Sequence, residues 1–136
     1  DRDPALGTDR LTSALIDFGA TRHLSFTVST QSVPFQRVQV VGTQGRIELF
    51  VPFNATRGGQ MKLALDEGGQ LDGSSVTIET LPAADQYRLQ VEDFSRRVRA
   101  GAAHPGMGGL SDALAQARVI DALWQSEQSG RWEPLS

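Results

Sequence analysis

The stretch LSDALAQARVIDALWQSEQSG, residues 110–130, decides how this chain can fold. Its apolar residues recur at the spacing of one helical face: Leu110, Ala113, Leu114, Ala117, Ile120 and Trp124. Ser111 is the predicted N-cap, and Gly130 suits the left-handed position after the last turn. We therefore predict a helix that buries its apolar face against a sheet.

A second amphipathic helix is predicted just upstream, from Tyr87 to about residue 100. Its stripe consists of Tyr87, Val91, Phe94 and Val98. Asp85 is the candidate N-cap and Gly101 the candidate stop signal. Neither helix carries a cluster of ligand residues on its apolar face, so both are predicted to be core-forming.

The chain before the helices is predicted to consist of strands. Apolar and polar residues alternate, or β-branched residues concentrate, over six segments: 12–18, 22–30, 35–41, 46–51, 60–66 and 76–81. Most connections are too short for a helical crossover. The expected fold is therefore α+β: an open-faced, largely antiparallel sheet of about six strands, with the two C-terminal helices packed on one face.

Size and composition narrow the class of protein. A chain of 136 residues with 39% hydrophobic residues is expected to form a single domain. A net charge of -3 gives no reason to expect nucleic acid or an anionic membrane as a partner. No apolar run reaches the roughly 18 residues of a membrane span, and no signal-peptide pattern is present. The absence of cysteine favours a cytoplasmic setting.

The motifs of catalysis and metal binding are weak. The two histidines, His23 and His104, have no carboxylate at ligand spacing, so no metal site is predicted. No nucleophile motif occurs. The glycine-rich run 106–109 precedes a helix but follows no strand, which favours a simple loop over a phosphate site. The arginines at 96, 97 and 99 suit the negative end of a helix dipole. We therefore predict no catalytic residue, metal site or cofactor site in this chain.

The segment Asp85-Gln86-Tyr87 is the most promising candidate for a binding site. It places a carboxylate, an amide and a phenol around a helix N-terminus, where free backbone amides favour polar or anionic ligands. The alternative is a helix cap next to a packed tyrosine. The residues alone leave both interpretations open.

Six stretches of the sequence form a series: LIDFG at 15–19, QRVQVVGTQGRIE at 36–48, PFN at 52–54, DQY at 85–87, ARVIDAL at 117–123 and SGRW at 129–132. Together they resemble the C-terminal domain of the Gfo/Idh/MocA family, the glucose-fructose oxidoreductase and inositol dehydrogenase type. The turn around Gly42 and Gly45 is the most specific of these. Their order and spacing agree over nearly the whole chain.

The resemblance implies a functional context. Family members join an N-terminal Rossmann domain, which holds NAD or NADP, to a C-terminal domain that shapes the pocket for a sugar, a polyol or a related compound. The sheet of that domain often packs against another subunit, so we expect a homodimer or higher through the open sheet face. Tyr87 would face the substrate, with Gln86 and Asp85 beside it.

The family motifs for cofactor binding and proton transfer have no match here. The Gly-rich fingerprint and the catalytic lysine belong to a Rossmann domain that is absent from this chain, so the isolated chain is expected to be inactive. Two other interpretations remain open: a stand-alone, non-enzymatic module for dimerisation or small-ligand binding, and a partner subunit that completes a split enzyme.

Overall fold

The computed structural model describes residues 1–101 and 109–135. Within them the elements are β1 (Leu11–Asp17), β2 (His23–Ser29), β3 (Arg37–Val41), β4 (Arg46–Phe50), β5 (Met61–Asp66), β6 (Val76–Leu81), α1 (Gln86–Ala100) and α2 (Leu110–Ser129). The α+β class is confirmed. The elements group into two compact units, one of residues 33–101 and one of residues 1–32 with 109–135.

The six strands lie in two antiparallel sheets rather than in one. β1 and β2 form a two-stranded sheet, and β3 to β6 form a four-stranded meander. The segment between β2 and β3 turns on itself, because the Ser29 hydroxyl accepts hydrogen bonds from the amides of Gln31 and Ser32 at 3.1 and 3.2 Å. Pro34 then has no N–H to donate to a ladder. Residues 30–36 therefore separate the two sheets and belong to no strand.

The four-stranded sheet has one apolar face and one mixed face. Val38 lies opposite Leu49 and Val40 opposite Ile47, and the same face continues across β5. Its apolar members are Val38, Val40, Ile47, Leu49, Met61, Leu63, Leu65 and Leu81. The register is specified by this alternation, since a slip by one residue would turn every apolar side chain to the other face.

Asp66 is the polar anchor of this unit. Its side chain is only 8% exposed, and it accepts hydrogen bonds from Ser75 Oγ at 2.7 Å, Gly68 N at 2.9 Å and Arg46 Nε at 2.9 Å. These bonds, that of the Ser75 hydroxyl above all, hold the pKa of the Asp66 carboxyl below its usual range. The carboxylate thereby joins β4, β5 and the turn before β6.

The turn between β3 and β4 requires glycine. Gly42 N donates to Gly45 O at 2.8 Å, which closes the turn. A Cβ on Gly45 would lie 2.4 Å from the carbonyl oxygen of Asp66, a distance that real Cβ atoms do not tolerate. The backbone of the turn therefore packs directly on the end of β5, and only a residue without a side chain fits.

In the other unit, β1 and β2 form a hairpin with faces of opposite character. Thr12, Ala14 and Ile16 on β1 lie opposite Val28, Phe26 and Leu24 on β2 and form the apolar face. The other face is mainly polar, and there the Ser13 and Thr27 hydroxyls hydrogen-bond at 2.9 Å. The hairpin turn contains three consecutive residues with positive φ, at Gly19, Ala20 and Thr21.

The helix ends follow the sequence signals in three of four cases. The Asp85 side chain caps α1, and the left-handed residues Gly101 and Gly130 end α1 and α2. The prediction of Ser111 as N-cap is wrong: the cap is Gly109, two residues earlier, so α2 starts at Leu110 and has no side-chain hydrogen bond at its cap. Ser111 lies inside the first turn, where its hydroxyl cannot act as an N-cap.

The expectation that both helices bury their apolar faces is not met. The α1 stripe of Tyr87, Val91, Phe94 and Val98 is 63–67% exposed. In α2, Leu110 and Leu114 are also exposed, whereas Trp124 in the C-terminal half is half-buried. Ala64 and Asp66 are the buried residues of the described chain. Neither described helix is long and apolar enough to cross a membrane.

We expect Gly45→Ala to lower the free energy of unfolding by about 2 kcal/mol, the usual magnitude for an overpacked site. The new methyl group would push against the Asp66 carbonyl. Gly42→Ala is the matched control, because a Cβ there meets its nearest atom at an ordinary 3.6 Å. Denaturant unfolding measures both, and equal stabilities would contradict the close approach of Gly45 to the Asp66 carbonyl.

We expect the free energy of unfolding to decrease as the pH is lowered, in part because the Asp66 carboxylate becomes protonated. A lowered folded-state pKa means that the carboxylate stabilises the fold above its usual pKa of about 3.9, and that this contribution is lost as the pH falls through the lower folded-state value. Asp66→Asn should therefore be less stable at pH 7 and show a flatter acid limb. Ser75→Ala should shift the acid limb of unfolding to higher pH. Superimposable pH profiles for all three proteins would contradict this role.

Candidate functional site

Asp85 organises the start of α1. Its Oδ1 accepts hydrogen bonds from the amides of Tyr87 and Arg88, both at 3.1 Å, and its Oδ2 accepts one from Arg57 Nε at 2.5 Å. The bond from the Arg88 amide, with that from Arg57, holds the pKa of Asp85 below its usual range. Asp85 is therefore an ionised cap, and the negative charge lies at the positive end of the helix dipole.

The three predicted binding residues are consecutive at this helix start. Gln86 is half-buried, and the Tyr87 side chain is 63% exposed at one end of the α1 stripe. The phenol is therefore open to a ligand. The carboxylate of Asp85 is already engaged in capping, so Tyr87 and Gln86 have more capacity for new hydrogen bonds. The substrate-binding role of all three residues stays a prediction.

Sequence reasoning missed two residues that shape this unit. Arg57 contacts Asp85 from a loop 28 positions earlier, and no local pattern signals such a pairing. Gln36 Oε1 accepts hydrogen bonds from the amides of Phe53 and Asn54 at 3.2 and 3.1 Å. Gln36 and the 52–54 segment both belong to the series that carries the family resemblance, which could have indicated their contact.

A groove of about 770 Å³ is formed within the other unit. Its walls come from the β1–β2 hairpin, the C-terminal half of α2 and the residues after it. The apolar and aromatic lining residues are Leu11, Ala14, Leu15, Phe26, Val28, Ile120, Leu123, Trp124 and Trp132. This volume suits a small molecule or several side chains of a packed segment.

Arg2 lies at one wall of this groove and makes two contacts. Its guanidinium lies 4.0 Å from the centroid of the Trp124 ring, and its Nη2 is 2.5 Å from Glu127 Oε2. Both charged side chains are half-exposed, so the ion pair contributes modestly to stability. The contacts fix the N-terminal residues against α2 and leave Trp124 with one ring face covered.

The described residues offer no assembled centre for metal binding. No group of three or more potential ligands occurs in residues 1–101 and 109–135. His23 lies on β2 with its Nδ1 3.7 Å from Asp17 Oδ1, which is a surface pair. Arg96 and Arg97 are both paired with Asp93. His104 and Gly106, Met107 and Gly108 of the glycine-rich run lie outside the described residues.

Comparison with known proteins gives two informative relatives. An uncharacterized oxidoreductase, ORF334, of Rhizobium meliloti is 38% identical over 99% of this chain. The D-xylose 1-dehydrogenase (NADP(+)) 2 of Haloferax volcanii is 29% identical over 91% of it. The chain spans only 40% and 36% of the lengths of these proteins. No family model matches the chain.

Proposed function

We propose that this chain is the substrate-binding and oligomerisation domain of a larger NAD(P)-dependent dehydrogenase. The chain is a homologue of oxidoreductases and resembles the C-terminal domain of the Gfo/Idh/MocA family. One observation carries the proposal: nearly all of this chain aligns with little more than a third of each relative. The remainder of such a protein has room for a separate nicotinamide-binding domain.

The proposed substrate is a sugar, a polyol or a related compound. The relative named as an NADP-dependent D-xylose 1-dehydrogenase supports both the substrate class and a nicotinamide cofactor. The cofactor and the proton-transfer residues would lie in the rest of the protein. This chain would supply one wall of the pocket, with Tyr87, Gln86 and Asp85 as its contacts, and by itself it would be inactive.

The proposed assembly is a homodimer or higher, formed through a face of the four-stranded sheet. Val40 and Ile47 on the apolar face of that sheet are exposed, which supports this face as the packing surface. Surfaces of this kind are usually covered by another layer, and two sheets pack about 10 Å apart.

A stand-alone module that binds a small ligand is the second candidate. It is favoured by the groove beside Trp124, whose volume of about 770 Å³ and largely apolar lining suit a small molecule. In this alternative the chain would bind its ligand without any nicotinamide and would catalyse no redox reaction.

The deciding experiment compares the isolated chain with the longest protein that its gene encodes. Both are tested for NADH and NADPH binding by fluorescence and for oxidation of a panel of sugars and polyols. The proposal expects cofactor binding and activity from the long protein alone. Sugar binding by the isolated chain, with no redox activity in the long protein, would favour the stand-alone module.

Tyr87→Phe in the long protein is expected to raise the substrate KM several-fold, because a hydrogen bond from the phenol would be lost, and to leave the cofactor KM unchanged. Val98→Ala is a matched control, since Val98 lies on the same stripe of α1 and is equally exposed. Steady-state kinetics on the best substrate of the panel measures both. An unchanged substrate KM in Tyr87→Phe would reject the role.

The sheet interface is tested by two neighbouring residues of β3 that point to opposite faces. Val40→Glu places a charge on the apolar face, and Gln39→Glu places one on the mixed face. Sedimentation velocity of the long protein should show a dimer or a larger oligomer. One of the two variants should dissociate this oligomer and thereby identify the sheet face that forms the interface. A monomer in the unmodified protein, or an oligomer that neither variant weakens, would contradict the proposed assembly.

A further inference from the structure

One edge of β1 carries backbone groups that pair with nothing in β2. The register places Thr12, Ala14 and Ile16 opposite Val28, Phe26 and Leu24. At the two ends of the hairpin, Thr30 N donates to Arg10 O and Phe18 N donates to Arg22 O. Even-numbered residues of β1 therefore direct their N–H and C=O groups to β2, because these groups alternate along a strand. The backbones of Ser13, Leu15 and Asp17 point to the opposite edge.

Asp1 already occupies the beginning of that edge. Its nitrogen donates to Leu11 O at 2.8 Å, and its carbonyl oxygen accepts from Leu11 N at 3.3 Å and from Arg10 N at 2.8 Å. The two bonds exchanged with Leu11 are those of an antiparallel pair. Two successive amides on one carbonyl form a β-bulge, which shifts the register relative to the bridge between Arg2 and Asp9.

The direction of this pairing indicates what belongs on the rest of the edge. Asp1 runs antiparallel to β1, so residues before it would pass beside Thr12 and continue toward Asp17. The relatives are about two and a half times as long as this chain, which supplies the material for such a segment. We propose that in the full-length protein the residues immediately preceding Asp1 form a β-strand that pairs antiparallel with β1 and makes the hairpin a three-stranded sheet.

The existing pair fixes the register of the added strand. The residue immediately before Asp1 lies opposite Thr12, and the second residue before it exchanges hydrogen bonds with Ser13. Opposed residues share a face. The first, third and fifth residues before Asp1 therefore lie on the apolar face with Thr12, Ala14 and Ile16, and the added strand has apolar residues at these positions. Ala14 lines the groove, so the new strand widens its apolar wall.

A second copy of the chain is a poorer occupant of this edge. A foreign strand would have to displace Asp1 from Leu11 and disturb Arg2, which is held by Glu127 and Trp124. The preceding segment is already aligned by Asp1 and pairs at the high effective concentration of an intramolecular contact. It also removes an open sheet edge, which otherwise invites aggregation.

A disulfide scan in the full-length protein tests the register. This chain has no cysteine, so added ones are unambiguous once any cysteine elsewhere is replaced by serine. Cysteine at the position immediately before Asp1 is combined with Thr12→Cys, a non-hydrogen-bonded pair with Cα atoms about 4.5 Å apart, within disulfide range. The matched control combines it with Ser13→Cys, whose side chain lies on the other face.

The proposal expects oxidation to give an intrachain disulfide in the first pair and none in the control, seen as the loss of both free thiols in the monomer. Crosslinked dimers would assign the edge to a second copy and overturn the proposal. Crosslinking in the control alone, or in neither pair, would overturn the register.

Hydrogen exchange gives an independent test that needs no substitution. In the full-length protein the amides of Ser13 and Leu15 should exchange at least about a hundredfold more slowly than in the isolated chain, whereas Ala14 should be protected in both. Equal rates for Ser13 and Leu15 would overturn the added strand. The inference rests on the proposed longer protein but not on its chemistry, so an inactive protein that passes these tests would refute the dehydrogenase proposal alone.

Discussion

The constraint that governs this structure is the need to cover the apolar side of every strand and helix. Antiparallel pairing satisfies the backbone of β3 to β6 and fixes which residues share a face, but a hydrogen-bond ladder removes little apolar surface from water. Among the described residues only Ala64 and Asp66 are buried. The elements are therefore held by ladders, caps and the Asp66 network, and their apolar faces are the surfaces on which a larger protein would pack.

The local architecture was predictable from the sequence because its signals are local. Period-two alternation located the strands, and Asp85, Gly101 and Gly130 marked helix ends through the chemistry of their own side chains or φ angles. The separation into two sheets was not predictable in this way. It depends on whether β2 pairs with β3, and the alternation within each strand does not specify its neighbour. The prediction that the α1 stripe is buried was wrong for a related reason. Amphipathicity indicates that a helix face needs a packing partner, but it does not identify that partner.

The helix N-terminus shows a similar division. The composition of residues 85–87 suggested both a cap and a ligand site, and the geometry assigns the Asp85 carboxylate to capping through the Tyr87 and Arg88 amides. Arg57, in a distant loop, forms an ion pair with Asp85, and the local sequence gives no indication of that contact. A polar residue at a helix start can therefore be assigned to a ligand only after its existing hydrogen bonds have been identified. Tyr87 keeps the most exposed functional group of the three.

The ion pair between Arg2 and Glu127 also bears on how the protein is made. The two residues are 125 positions apart, whereas each strand of the meander pairs with its neighbour in the chain. On a ribosome that adds about 5–20 residues per second, the β1–β2 hairpin would emerge roughly 5–20 s before the α2 residues that line its groove. The meander can fold as soon as it leaves the exit tunnel. The unit that contains the first two strands therefore completes its folding only after the meander, although its strands are synthesised first.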